Sequence, residues 1–359
     1  METRQRLISL DVMRGMTVAG MILVNNGAGP DTYAPLKHSA WNGLTPCDLV
    51  FPFFLFMVGL SIFISLRKFS FRPSKIVVVK ILKRTLLLFV IGLLLHMWDM
   101  VTKGNWDLFS ELRVWGVLQR IALCYGIVSL LVLYVPAKRL TSIMFVLLAA
   151  YMLILIWGNG YEMSEDNIIA IVDRAIFGEA HLYHKSPVDP EGLVSTISAV
   201  VHTYIGFLSG KIVMETLSLN KKIKMLLFVG CGLLIATVFF LTGEFPINKR
   251  IWSPSFVSVT CGIAMIFLAI LILVIDKWEK KRWCKIFQMF GMNAFFIYVL
   301  SEAVAPALSH WGLKQPIYEG INSIITNTYM ASLTYALLFV GLMALAAWVL
   351  WKKNIVIKI

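Results

Sequence analysis

Charged residues are scarce in this 359-residue chain, at 15% of the sequence against about 25% in an average soluble protein. Hydrophobic residues reach 58%, and the mean hydropathy is +0.78. A soluble fold of this length has too small an interior to bury so much apolar surface. The composition therefore excludes a soluble globular protein and indicates an integral membrane protein.

Several motifs of hydrolysis, nucleotide binding and metal binding are also absent. The sequence contains no Walker A motif, no GxSxG, no HExxH and no CxxC. The five cysteines are scattered along the chain and suggest neither a disulfide framework nor a structural zinc. These absences argue against an ATP-driven pump, a serine hydrolase and a metalloenzyme, and we expect no metal site.

Ten apolar stretches are long enough to cross a bilayer as helices, since a span needs roughly 20 apolar residues. We predict spans at 7–26, 46–66, 78–98, 114–134, 140–157, 193–213, 224–242, 255–275, 286–307 and 329–351. No small-residue cleavage site follows the first apolar run, so we expect this helix to be retained. The predicted fold is an all-α bundle of about ten transmembrane helices, with residues 1–359 as one polytopic domain.

The basic residues are distributed unevenly between the two sides of this topology. Of the 33 Lys and Arg residues, 23 flank the side that carries both termini, including Arg4, Arg6 and Lys358, and 8 flank the other side. Cytoplasmic loops carry an excess of Lys and Arg, so both termini are predicted to be cytoplasmic. The net charge of +13 follows from this bias, and no nucleic-acid partner is expected.

A polar cluster follows the first span, in VNNGAGPDTYAPLKHSAWNGLTPCDLVFPFF at residues 24–54. Asn25 ends the span, and His38 precedes a helix start marked by Thr45 as N-cap and Asp48 at the third position. The positive end of that helix dipole favours a neutral imidazole, which can act as a general base. The plainer alternatives are a solvated histidine and a carboxylate that only caps the helix.

Basic residues also lie inside the predicted spans. Arg120 is seven residues, or roughly 10 Å, deeper than the span end and needs a partner, for which we consider Asp11, Asp48 and Glu302. A structural ion pair and a ligand-binding role are both consistent with Arg120.

Three cations share one helix face near the inner end of the third span. Lys80, Lys83 and Arg84 have the spacing i, i+3, i+4. Such residues snorkel to lipid phosphate, or they bind a polyphosphate ligand that approaches from the cytoplasm.

Three further segments carry polar residues beside spans: DPEGLVSTI at 189–197, PINKRIWSPSF at 246–256 and FGMNAFFIYVLSE at 290–302. The first two lie at outer ends, where a polar extracytoplasmic substrate would meet the protein. The third places Asn293 and Glu302 among aromatic residues, which is typical of close helix packing or of a lined cavity.

Taken together, these segments resemble the heparan-alpha-glucosaminide N-acetyltransferase family. The resemblance runs from Leu10 to Gly59, with HSAWNGLTPCDLVFP as its most specific part, and continues through RVWGVLQRIALCY (113–125) and the segments at 189–199, 246–256 and 290–299. It is closest to the bacterial branch, because the chain starts at the common core without the luminal domain of the lysosomal enzyme. We therefore expect a multi-pass protein of the bacterial inner membrane.

The resemblance implies a transmembrane acyltransferase that takes acetyl-CoA from the cytoplasm. The acetyl group passes to the amine of a glucosamine-type sugar, on a heparan sulphate-like or other glycan, on the far side of the membrane. The family's active-site histidine falls on His38, and a functional asparagine falls on Asn25. The lysosomal member is thought of as a dimer, so a homodimer is compatible with the resemblance, and membrane lipids are the remaining expected partners.

From these observations we predict three groups of site residues. The catalytic group is His38 as general base, Asn25 at the thioester carbonyl and Asp48 orienting His38. The group predicted to bind the acceptor is Trp41, Asn42, Glu191, Asn248 and Trp252. The group predicted to contact acetyl-CoA is Lys80, Lys83, Arg84, Arg120 and Asn293.

Two mechanisms and two other functions stay open at this point. The acetyl group passes either directly to the amine or through an acetylated His38. Another envelope glycan is an alternative acceptor for the same donor. Ten spans with buried Arg, Asp and Glu also fit a secondary transporter, although a transporter would concentrate polar residues at the midplane.

Overall fold

The computed structural model describes residues 7–357, so Arg4, Arg6 and Lys358 of the predicted topology lie outside the described residues. Within this range the chain is helical and forms no strand. The helices are α1 (Ile8–Asn25), α2 (Val50–Arg67), α3 (Lys75–Thr102), α4 (Val117–Tyr134), α5 (Ala137–Trp157), α6 (Ile168–Phe177), α7 (Thr196–Glu215), α8 (Leu219–Thr242), α9 (Pro254–Leu271), α10 (Cys284–Met292), α11 (Ala294–His310), α12 (Lys314–Ile324) and α13 (Thr328–Lys352).

Eight of the described helices are long and apolar enough to cross a membrane, and α10 with α11 makes a ninth if the pair forms one broken span. The pair is bent by 81°, with Asn293 between its two helices. The predicted all-α polytopic membrane fold is thereby confirmed, and nine of the predicted spans fall on these helices. The prediction at 78–98 lies on α3, which is one 28-residue helix but is not among the eight.

Polar residues mark several helix starts. Ser74 accepts a hydrogen bond from the backbone N–H of Val77 at the start of α3. Ser253 caps α9, and Pro254 occupies the first position of that helix. A short 3₁₀ turn, Pro46–Leu49, leads into α2 and carries the predicted capping box.

Glycine allows the central helices to approach each other closely. A Cβ atom on Gly59 of α2 would overlap the carbonyl oxygen of Thr203 on α7, and one on Gly206 would overlap that of Phe56. A Cβ atom on Gly291 of α10 would likewise overlap the backbone of α1. These small residues let backbones pack without intervening side chains, which sets the positions of α1, α2, α7 and α10 around the sites described below.

The α2–α7 crossing leads to a test of stability. Gly59→Ala is expected to lower the unfolding free energy by about 3 kcal/mol, because the added methyl group must displace a backbone carbonyl. Gly341→Ala on α13 is the matched control, since nothing lies within 4 Å of a Cβ atom there. Thermal unfolding in detergent measures both, and equal midpoints for Gly59→Ala and the wild type would contradict the packing described here.

Candidate active site

A buried carboxylate organises the loop between α1 and α2. The Asp48 side chain is 1% exposed, and its Oδ2 atom accepts hydrogen bonds from Thr45 N at 3.2 Å, Thr45 Oγ1 at 3.0 Å and Ser39 N at 3.1 Å. The carboxylate thus closes the capping box and fixes the chain on both sides of Thr45. One carboxylate oxygen, Oδ1, remains for other partners.

His38 uses that remaining oxygen. Its Nδ1 atom lies 2.7 Å from Asp48 Oδ1, and its side chain is 51% exposed. A deprotonated Nδ1 would repel a carboxylate oxygen at this distance, so we assign the ring proton to Nδ1. The Nε2 atom is then the unprotonated nitrogen, which is the arrangement of a base oriented by a carboxylate.

Two side chains that sequence reasoning did not assign to the site also reach this pair. Lys249 Nζ lies 3.0 Å from His38 Nδ1 and 3.4 Å from Asp48 Oδ1. Cys47 Sγ lies 3.2 Å from the same ring nitrogen. Cys47 is adjacent to Asp48, but Lys249 is 211 residues from His38, and only the fold brings them together.

His38 faces a cavity of about 300 Å³ at the outer end of the bundle. Residues from the α1 end, the following loop and α13 line it, among them Leu23, Thr32, Tyr329 and Ser332. The imidazole is therefore accessible from the side opposite the predicted cytoplasmic face.

Asn25 occupies the predicted end of α1 but does not contact His38. Its side-chain amide donates a hydrogen bond to Glu302 Oε1 at 3.3 Å, and the residue is exposed. The fold thus pairs two predicted polar residues, one from α1 and one from α11, in a contact that the sequence did not indicate.

An ion-pair network connects the loop before α4 with the loop before α7. Arg113 binds Asp189 through two hydrogen bonds, at 2.7 and 3.2 Å, and Glu191 through one at 2.7 Å. Burial disfavours the charge on Glu191, but Arg113, Arg120 and Lys249 outweigh burial and lower the pKa of Glu191. Glu191 is therefore ionised in this basic surrounding and has little exposed surface.

Arg120 lies in the core rather than in a ligand site. It is fully buried and donates hydrogen bonds to the carbonyl oxygen of Gly192, at 3.0 Å, and to Ser195 Oγ. Those hydrogen bonds go to the start of α7 instead of to any of the three carboxylates considered as partners. Its guanidinium also stacks on the Trp252 ring, 5.1 Å from the centroid.

Trp252 is likewise a core residue, which corrects its prediction as an acceptor contact. The side chain is fully buried and packs edge-on against Phe51 and Phe256, with centroids 5.1 Å apart in both pairs. No ring face is left for a sugar. Its position in a polar outer segment predicted an exposed ring, but packing between the helices buries the ring.

The other predicted acceptor residues join the outer loops. Asn248 donates from Nδ2 to Asn42 Oδ1 at 3.0 Å. Trp41 donates from its indole N–H to the carbonyl oxygen of Tyr161 at 2.8 Å. These bonds hold the His38 loop against the segments before α6 and α9.

A second cavity, of about 400 Å³, lies toward the predicted cytoplasmic side. Its lining includes Arg14, Ser61, Arg84, Tyr125 and Asn293. The Arg84 guanidinium lies 4.7 Å from the Tyr125 ring centroid, and Arg14 donates to Ser61 Oγ at 3.2 Å. Arg14 is not among the predicted site residues, yet it supplies a cation to this cavity.

The three predicted cations of α3 do not all face the inner cavity. Arg84 lines the inner cavity, whereas Lys80 and Lys83 are exposed and do not line it. Lys80 lies over the Phe69 ring at 5.2 Å. Residues three and four apart share a broad helix face, but only one of the three cations points into the bundle.

Asn293 lines the inner cavity and also binds the end of the described chain. Its Nδ2 atom donates to the carbonyl oxygen of Ile355 at 2.9 Å, and its Oδ1 atom accepts from the backbone N–H of Ile357 at 2.8 Å. Val356 and Ile357 are part of the cavity lining. The amide that was predicted to contact acetyl-CoA is thus occupied by backbone.

Comparison with known proteins gives one consistent result. Residues 6–169 match the family model described as "Heparan-alpha-glucosaminide N-acetyltransferase, catalytic". The chain is 30% identical to the heparan-alpha-glucosaminide N-acetyltransferase of Homo sapiens, over 99% of this chain and 60% of the relative. The Mus musculus protein of the same name is also 30% identical, over 100% and 62%. The chain thus spans about three fifths of the length of these relatives, and the predicted family resemblance is confirmed.

Asp173 on α6 leads to a pH-dependent prediction. Its Oδ1 atom accepts from the backbone N–H of Leu193 at 3.0 Å, but burial is the larger effect and raises its pKa from 3.8 to about 6. Between those values the unfolded chain loses this proton before the folded protein does, so rising pH lowers stability. Relative to wild type, Asp173→Asn should gain about 2–3 kcal/mol between pH 4 and pH 7.

Thermal unfolding at pH 4 and pH 7 measures this difference. Glu162→Gln serves as the control, because that residue is exposed and the change should leave the pH profile close to wild type. Parallel wild-type and Asp173→Asn profiles would contradict the prediction.

Proposed function

Because residues 6–169 match the model of the heparan-alpha-glucosaminide N-acetyltransferase catalytic region, we propose that the protein is a transmembrane N-acetyltransferase. Its donor is acetyl-CoA from the cytoplasm. Its acceptor is the amine of a glucosamine-type sugar on the extracytoplasmic side of a bacterial inner membrane. The pair formed by His38 and Asp48 is the observation that carries the proposal.

His38 is the general base of the proposed reaction. Asp48 fixes the imidazole through Nδ1 at 2.7 Å. Nε2, which Cys47 Sγ approaches at 3.7 Å, is then the nitrogen that accepts a proton from the attacking amine. The opening of His38 into the outer cavity supports an acceptor that arrives from outside. A base for an amine on the cytoplasmic face would lie at the opposite end of the bundle.

The proposed reaction is direct transfer in a ternary complex. The amine nitrogen attacks the thioester carbonyl carbon, forming the C–N bond, and its proton passes to His38 Nε2. The C–S bond then breaks, and the CoA sulfur leaves with the proton that the imidazolium returns. Each turnover thus yields an amide and free CoA, with His38 neutral again and Asp48 ionised throughout.

Asn25 is proposed to act on the thioester carbonyl oxygen. Its amide N–H₂ is exposed at the outer end of α1 and has one hydrogen bond, to Glu302. An amide has two N–H donors, so the second is free to stabilise negative charge on that oxygen as the amine attacks.

The inner cavity is proposed to receive CoA. CoA carries several phosphates, and Arg14 and Arg84 place two guanidinium groups in the lining, with the Tyr125 ring beside Arg84. Guanidinium groups match phosphate geometry. Along α1, Arg14 of the inner cavity and Leu23 of the outer one are nine residues, or roughly 13 Å, apart. A thin flexible pantetheine arm is suited to cross that interval.

Acceptor recognition is proposed for the outer loops near His38. Asn42 is exposed and held by Asn248, and Glu191 adds a negative charge near Lys249. Amide and carboxylate groups bind sugar hydroxyls and an amine. The same donor chemistry would serve another envelope glycan, and the comparison of acceptors below separates these substrates.

The direct test uses purified protein with acetyl-CoA that is labelled in its acetyl group. Wild type is expected to transfer label to glucosamine or to short glucosamine-terminated glycans, and His38→Ala should lose at least 10³-fold in kcat, on the order of what a positioned base contributes. CoA binding should survive in this variant. Hydroxyl-only glycans serve as the acceptor control.

Several outcomes would contradict the proposal or its direct-transfer step. Equal transfer by wild type and His38→Ala would remove His38 from the chemistry. Release of the label only to water, or movement of the acceptor without acetylation, would favour a hydrolase or a transporter. Label trapped on His38, with parallel double-reciprocal plots, would replace the direct reaction with an acetyl-enzyme.

The division of the α3 cations leads to a second test. Arg84→Gln is expected to weaken CoA binding about tenfold or more, because a partly buried guanidinium–phosphate contact is lost. Lys83→Gln is the matched control on the same helix and should have little effect, since Lys83 does not line the cavity. Calorimetric titration with CoA and with pantetheine, which lacks the nucleotide phosphates, measures both. Equal weakening by the two variants would contradict the proposed site.

A further inference from the structure

Lys249 is a charged side chain beside His38 that the proposed chemistry does not yet use. Its Nζ atom lies 3.0 Å from His38 Nδ1 and 3.4 Å from Asp48 Oδ1, and its side chain is 15% exposed. The lysine therefore shares with His38 the one carboxylate oxygen that the capping box leaves open. This is a contact within the site, not a surface ion pair.

The loop before α9 holds Lys249 in place. Asn248 Oδ1 accepts hydrogen bonds from the backbone N–H groups of Arg250, at 2.9 Å, and Ile251, at 3.2 Å. The backbone N–H of Asn248 donates to Ser253 Oγ at 3.0 Å. Trp252 closes the turn with a positive φ of 50°, and its buried ring anchors the turn in the core. The fixed turn thus keeps the ammonium group of Lys249 close to Asp48.

The charges around the imidazole determine which form of His38 is present. A buried carboxylate favours a positive charge on the ring, and an imidazolium is not a base. Lys249 neutralises Asp48 and repels a positive ring. With one negative and one positive group already present, the neutral imidazole is the form that adds no net charge.

We infer that Lys249 is a positioning residue that keeps His38 neutral and able to accept a proton. The inference rests on the proposed function of His38 as general base. Lys249 acts through Asp48 and His38, so its contribution depends on pH. At high pH, His38 would be neutral even without Lys249. The lysine is then not needed for proton transfer.

The other groups that face the imidazole do not provide this charge. Cys47 Sγ, at 3.2 Å, belongs to a buried thiol, which carries no charge in its protonated form. Lys37 precedes His38 and lines the outer cavity, but it is exposed to water and forms no ion pair with Asp48. Glu191 lies near Lys249 and has Arg113 as its own partner.

The test is the pH profile of kcat/KM for acetyl transfer in three variants. In Lys249→Met, the fall in activity on the acid side should move to higher pH by about one unit, with activity near wild type above the shifted limb. Lys249→Arg retains the charge and should restore the wild-type profile. Lys185→Met removes an exposed lysine from another outer loop and should leave the profile unchanged, which separates a local effect from a change in net charge.

The thermal midpoint of each variant reports on folding, and its KM for acetyl-CoA reports on donor binding. A uniform loss of activity at every pH in Lys249→Met, or an unshifted profile, would overturn the inference. The proposed function is tested separately by His38→Ala. If His38→Ala transfers acetyl groups at the wild-type rate, the base assignment fails and the inference with it. If His38→Ala is inactive while Lys249→Met has an unshifted profile, only the inference is wrong.

Discussion

The buried carboxylate of Asp48 is the interaction on which the outer half of the structure depends. Its Oδ2 atom closes the capping box before α2 and fixes the backbone at Ser39, while its Oδ1 atom meets His38 and Lys249. An ionised group at 1% exposure is stable only with such a full set of partners. One side chain therefore joins the start of a membrane helix, the orientation of an imidazole and the position of a loop from far along the sequence.

Three arginines in the bundle have different surroundings. Arg113 is matched by two carboxylates, and Arg120 by a carbonyl oxygen, a serine and an indole ring. These two arginines fix the loop that leads into α7, and Glu191 lies in that loop. Arg84 instead borders an open cavity, and this difference in surroundings separates a structural arginine from one that is available to a ligand.

Much of this arrangement could be predicted from the sequence, because its signals are local. Apolar length located the spans, and the Thr45–Asp48 capping pattern placed a carboxylate ten residues from His38. Pairings across the bundle left no such signal: Lys249 with His38, Asn25 with Glu302, and Asn293 with the backbone of Ile355 and Ile357. The positions of Trp252, in the core, and of Lys83, outside the inner cavity, left no signal for a related reason. Residue type and helical spacing do not say which side of a helix meets a cavity.

The central claim is that an acetyl group crosses the membrane through this bundle, from a cytoplasmic donor to an acceptor outside. Sealed vesicles with the cytoplasmic face outward, loaded with glucosamine and supplied externally with labelled acetyl-CoA, test it directly. Labelled N-acetylglucosamine is expected inside the vesicles with wild type, and none with His38→Ala. Label appearing only on glucosamine that shares the external compartment with acetyl-CoA would contradict it.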